Sequence, residues 1–167
     1  MLEEKYRLMS VLEKAGGIRG RKKLQKMFYF IQMLGYDYSL DYSYQNYGPY
    51  SAQLQFEVDM LVAEGLLGEG FDHNTYSYSV TTKGKEFLRL VEEKGLTDIG
   101  PEVPTDLLSE LKQYDAQLLE LASTMMFLGD LGFRDGELFQ RVSELKPRLV
   151  DRYQDAQTFI MELSGRS

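Results

Sequence analysis

A chain of 167 residues that contains no cysteine excludes a disulfide framework, a thiolate zinc site and a catalytic thiol. Hydrophobic residues make up 43% and charged residues 27%, which are ordinary values for a globular chain that can bury a core without staples. The formal net charge of −7 speaks against a nonspecific nucleic-acid binder, and no stretch approaches the roughly 18 apolar residues of a membrane span.

The first segment, MLEEKYRLMSVLEKAGG, reads as a charged amphipathic helix over about 2–15, with Leu8, Val11, Leu12 and Ala15 at helical spacing and Gly16-Gly17 as its stop. It lacks the apolar run of a signal peptide, so the expected compartment is the cytoplasm. A second helix, about 19–35, opens on a basic cluster and then turns apolar, Leu24, Met27, Phe28, Ile31 and Leu34 forming one buried face. Residues 36–50 are a tyrosine-rich connection with a Gly48-Pro49 turn, and Ser51 is the expected N-cap of a third helix over about 51–64. Leu54, Val58, Leu61 and Val62 are its inner face.

Residues 66–81 read as a hairpin. Asp72-His73-Asn74 supplies the turn, and Tyr76, Tyr78 and Val80 alternate with polar residues. A fourth helix follows over about 82–94. Three helices, a hairpin and a helix form the winged-helix order, so the expected fold is mainly α: a winged-helix domain over 1–95, a linker over 96–106 and a C-terminal helical bundle over 107–167. Within that last segment Leu107, Leu111, Tyr114, Leu118, Leu121, Met125 and Leu128 repeat every 3.5 residues on average. This stripe suits an intramolecular bundle or, as the alternative, a homodimer interface through 107–128.

Reaction chemistry is scarce in the sequence. The single histidine, His73, falls in the hairpin turn. One histidine and no cysteine cannot supply a Cys/His pair or a histidine metal site within one chain. Neither a nucleophile elbow nor a P-loop pattern occurs. No catalytic residue, metal ligand or cofactor is assigned, and the chain is not expected to be an enzyme.

Two groups of binding residues stand out instead. Arg19, Arg21, Lys22, Lys23 and Lys26 place five cations in eight residues at a helix start, where the helix dipole also favours anions. With Lys83 and Lys85 they are the candidate phosphate contacts. From Met27 to Thr82, however, no lysine or arginine occurs, while seven acids and nine of the twelve tyrosines do. This interval holds the third helix and the hairpin, the elements that a winged-helix protein presses onto duplex DNA. Affinity there comes from cations on phosphate, so the usual docking is opposed. Tyrosine suits protein interfaces. The candidate partner-binding residues are therefore Tyr42, Tyr44, Tyr47, Tyr50, Gln53, Gln55, Glu57 and Asp59. The expected function is a non-catalytic regulatory module that binds a protein partner through this acidic, tyrosine-rich surface. The alternative is a DNA-binding transcriptional regulator that uses the cluster at 19–26.

The segments Lys23-Leu24-Gln25-Lys26-Met27-Phe28-Tyr29-Phe30 and Tyr47-Gly48-Pro49-Tyr50-Ser51 resemble those of the YwgA-type proteins of bacilli and their archaeal relatives. That family combines a KLQK helix, a YGPYS turn and a winged-helix-like hairpin. Glu144-Leu145-Lys146-Pro147 is similar to its C-terminal helices, so the resemblance covers most of the chain. Residues 23–50 also resemble, more loosely, the Panacea or SocA-like antitoxin domain, which implies a toxin as protein partner. Neither resemblance supplies a catalytic residue.

Overall fold

The computed structural model describes residues 2–95 and 100–166. Helix α1 (Leu2–Lys14) buries Leu8, Met9, Val11 and Leu12 and ends at Gly16-Gly17, as its spacing predicts. Strand β1 (Ile18–Arg19) and helix α2 (Arg21–Met33) follow, hinged at Gly20. The connection after α2 contains a short hairpin of β2 (Ser43–Gln45) and β3 (Gly48–Tyr50). Helix α3 (Ala52–Ala63) starts at Ser51, whose side chain accepts a hydrogen bond from the Leu54 N–H at 3.1 Å.

The main hairpin pairs β4 (Leu67–Asp72) with β5 (Thr75–Val80). His73 and Asn74 form its two-residue turn, both with positive φ, as a type I′ turn requires. Helix α4 (Thr82–Glu93) is capped by Thr81. Gly84 lets its first turn sit on the hairpin base, where a Cβ would collide with the Leu66 carbonyl oxygen. Helices α5 (Thr105–Gln113), α6 (Ala116–Asp130), α7 (Asp135–Leu145) and α8 (Tyr153–Ser164) complete the described chain, a 3₁₀ turn at Val150–Arg152 leading into the last.

These elements overturn the mainly α, winged-helix expectation. The fold is mixed α/β, with a three-stranded antiparallel sheet in the order β1-β5-β4 and a separate two-stranded antiparallel sheet, β2-β3. The physical reason lies in strand length. Ile18 pairs with Tyr78 and Arg19 with Ser77, but two residues are too few to carry an alternation, and the sequence pattern places Arg19 at the start of the second helix instead. Three-residue strands around a tyrosine-rich turn are hidden in the same way. Of the linker expected over 96–106, residues 96–99 lie outside the described residues; Val103 is buried and α5 begins at Thr105.

The core centres on α2 and α6. Eight consecutive residues of α2, Leu24 to Ile31, are buried, so this helix is covered on every side rather than on one face. Its cover includes α6, itself buried from Leu118 to Met125. The 3.5-residue stripe runs through two helices, broken at Asp115, which caps α6 by accepting from the Leu118 N–H at 2.8 Å. Leu107, Leu111, Leu118, Leu121, Met125 and Leu128 are all buried within this one chain.

Candidate functional site

The KLQK segment of α2 and the YGPYS turn lock onto each other. The Gln25 side chain accepts from the Ser51 N–H and donates to the Ser51 carbonyl, both at 2.9 Å. Lys26, whose side chain is sealed from solvent, donates from Nζ to the Pro49 carbonyl at 2.5 Å. Gly48 has φ +92, and a Cβ there would lie 2.8 Å from Thr124 Oγ1 of α6. Only glycine fits both the backbone angle and the gap. The hairpin β2-β3 is thus held between α2 and α6.

A buried ionic cluster lies behind this contact. Glu120 of α6 binds Lys22 at 2.8 Å and Lys146, just past α7, at 2.9 Å. Lys146 also donates to the Asn46 carbonyl at 2.9 Å. Burial alone would raise the Glu120 carboxyl, but hydrogen bonds from Lys22 and Lys146 outweigh it and hold it below the ordinary value. Burial lowers the Lys26 amine to about 7; Glu120 opposes this, and Lys146 and Lys22 add to it.

In front of the contact opens a cleft of about 680 Å³. Four of the predicted phosphate-binding residues, Arg21, Lys22, Lys23 and Lys26, line it. So do three of the predicted partner-binding residues, Tyr47, Tyr50 and Gln55. The two groups that the sequence kept apart share one cavity, because the YGPYS turn folds back over the start of α2. Tyr76 of β5 forms another part of the wall. The Arg21 guanidinium stacks on Tyr76 at 3.8 Å and donates to the Tyr78 hydroxyl at 2.9 Å and to Glu69 at 3.4 Å. Lys22 lies 4.4 Å from the Tyr47 ring centre. Lys23 donates to the Lys112 carbonyl; burial and the Lys112 charge lower its amine.

The other predicted residues stand elsewhere. Arg19 donates to the Asp72 carbonyl at 3.1 Å near the tip of the main hairpin. Lys83 donates to the Glu64 carbonyl at 2.8 Å at the hairpin base, roughly 17 Å along the strand. Lys85 is exposed on α4, and neither lysine lines the cleft. Tyr42 packs edge-on against Tyr29, ring centres 5.0 Å apart, and Tyr44 lies 6.1 Å from Phe127. On α3, Gln53 donates to Glu57 at 3.4 Å and Gln55 to Asp59 at 2.9 Å. Burial pushes the Glu57 carboxyl up.

Sequence reasoning gave Gln25, Gly48 and Lys146 no place in a site and did not single out Glu120. One signal was there to read: Glu120 is a lone carboxylate inside the apolar run Leu118–Met126, on a helix that must be buried.

No family model matches the chain. The uncharacterised protein YwgA of Bacillus subtilis (strain 168) is 30% identical over 175 aligned positions, which span 98% of this chain and 98% of the relative. Similarity of that extent shows that the chain belongs to the YwgA-like family.

Proposed function

We propose that this protein is a non-catalytic regulatory module that binds a basic, partly apolar protein partner through the outer face of α3. The observation that carries this reading is a pair of large side chains one turn apart on that helix. Phe56 is 65% exposed and Met60 44%, and Gln53, Glu57 and Asp59 border them. Large apolar side chains held in water on a rigid, capped helix suit a docking surface. The bordering acids supply charge complementarity, which selects a cationic partner.

The predicted phosphate contacts support the same reading by their placement. Arg21, Lys22, Lys23 and Lys26 line the cleft, Arg19 lies near the tip of the main hairpin and Lys83 at its base, so they do not form the continuous positive face that a duplex backbone requires. The main hairpin and α3 carry the acids Glu69, Asp72, Glu57 and Asp59 and no lysine or arginine.

The test is affinity capture with three baits: wild type, Phe56→Asp/Met60→Asp, and Met161→Asp. Met161 is 73% exposed on α8 and serves as an equally accessible control. The expected result is a basic protein captured by wild type and by the α8 variant and lost with the α3 variant. Equal capture by all three baits would count against this face. Retardation of a DNA duplex at low salt, with a measurable salt slope, would favour a nucleic-acid partner instead.

A further inference from the structure

We infer that the cleft between the start of α2 and the YGPYS turn is a binding site for a nucleoside phosphate, independent of the partner surface proposed for α3. Its volume, about 680 Å³, lies within the range of about 300–1,000 Å³ typical of small-ligand sites. Its chemistry divides into three zones that match the three parts of such a ligand.

The deep zone is cationic, and its charge is only partly compensated inside the chain. Glu69 balances Arg21. Glu120 alone faces Lys22 and Lys146 and lies within electrostatic reach of Lys26. Lys23 donates to a carbonyl oxygen, and Lys112, which repels its charge, outweighs Asp115, which attracts it. Surplus positive charge is therefore concentrated in one cavity of a chain whose net charge is −7. Such a concave patch focuses an anion from solution. The first turn of α2, Arg21 to Lys23, lines the same cavity and has neither a side-chain cap nor an acid, so the positive end of the helix dipole adds to the attraction. The depressed amine of Lys26 has the same origin, since burial is met there by too little negative charge.

The walls are aromatic. Tyr76 is held between Arg21, 3.8 Å from its ring centre, and Phe71, 4.7 Å from it, whereas Tyr47, 61% exposed at the mouth, carries Lys22 on one face and offers a planar surface on which a base can stack. The third zone is made of amides. Gln45, Gln55 and Asn74 line the cleft, and each carries both donors and an acceptor. Such groups read the edge of a heterocycle, whereas phosphate alone would call for cations. A bare inorganic anion would make no use of the Tyr47 ring or of the amides that line this cavity.

Isothermal titration calorimetry on the full chain tests the assignment. The probes are the four ribonucleoside mono- and triphosphates, their nucleosides, inorganic phosphate and tripolyphosphate, at low salt. At least one nucleotide is expected to bind saturably, about tenfold or more tighter than both its nucleoside and the matching inorganic anion. Lys23→Gln should weaken that nucleotide about tenfold while leaving nucleoside binding unchanged. Tyr47→Ala should bring nucleotide affinity down towards that of the inorganic anion. Tyr47 is exposed and Lys23 half-buried at the surface, and circular dichroism checks that both variants fold. Three results would overturn the inference: no saturation by any nucleotide up to the order of 1 mM, inorganic tripolyphosphate binding as tightly as the nucleotides, or both variants binding as wild type does.

Discussion

Lys26 keeps its amino group in a setting that penalises charge. Its side chain is fully buried, its amino group donates to the Pro49 carbonyl, and the charged groups that act on it are Glu120, Lys22 and Lys146. Its amine therefore falls from the usual 10.5 to about 7 on folding. Between those values the unfolded chain holds a proton that the folded chain has released, so stability rises with pH from about 7 towards 10 and is flat below that window. Lys23, also lowered by burial and by Lys112, adds to the same limb. The buried tyrosines act in the opposite sense. Burial raises the hydroxyls of Tyr29 and Tyr42 and pushes that of Tyr38 up to about 12. Above pH 10 the unfolded chain loses these protons first, so stability falls again. Denaturant unfolding between pH 6.5 and 9.5 should show a rising midpoint for wild type and a much shallower rise for Lys26→Met. Equal slopes for the two proteins would refute the assignment.

At the scale of elements, the lock between α2 and the YGPYS turn carries the argument. Gln25 satisfies both backbone groups of Ser51, and Ser51 caps α3, so one side chain joins two helices through a turn. Gln25→Leu would leave the buried Ser51 N–H unpaired, while the Ser51 carbonyl keeps the Gln55 N–H at 3.3 Å. The expected loss is therefore about 1–3 kcal/mol by denaturant unfolding. Gly48→Ala combines a strained positive φ with the close approach of Thr124 and should cost about 2 kcal/mol or more. A change under about 0.5 kcal/mol in either variant would mean that the turn is not held this way. The elements themselves were legible where they were long: the amphipathic spacing of α1 and α3, the Ser51 cap and the turn at His73-Asn74 all read correctly from the residues. The burial of α2 on every side was not legible, because periodicity identifies only one face and the covering helix lies about 100 positions away in sequence. The break at Asp115 was equally hidden, since the apolar phase continues across it. For the site, the cations and the tyrosines were each visible, but their meeting in one cleft depends on a fold-back that no local pattern encodes.

For the whole molecule, the Glu120 cluster ties together parts of the chain that are far apart in sequence. It joins Lys22 at the start of α2, the Asn46 carbonyl in the β2-β3 turn through Lys146, and the segment after α7. The hydrophobic core is likewise continuous from Tyr6 to Leu163, so the first hundred residues and the last helices share one interior. Within such an interior the ions are expensive to hold and more expensive to leave unpaired. Glu120→Gln removes the one carboxylate that faces two buried or half-buried lysines. The expected loss is about 3 kcal/mol, the low end of the range for breaking a buried pair, because Lys22 still reaches solvent. Lys146→Met alone should also destabilise, since it leaves Glu120 with one partner and Asn46 with none. In Glu120→Leu/Lys146→Met the buried charges leave together, and the loss should fall short of the summed single variants (Glu120→Leu and Lys146→Met) by about 1–3 kcal/mol. Strict additivity would mean that the two groups do not act as a pair. Non-additivity of the expected sign would show that α6 and the segment after α7 are coupled through this pair, the same Lys146 that holds the Asn46 carbonyl of the β2-β3 turn.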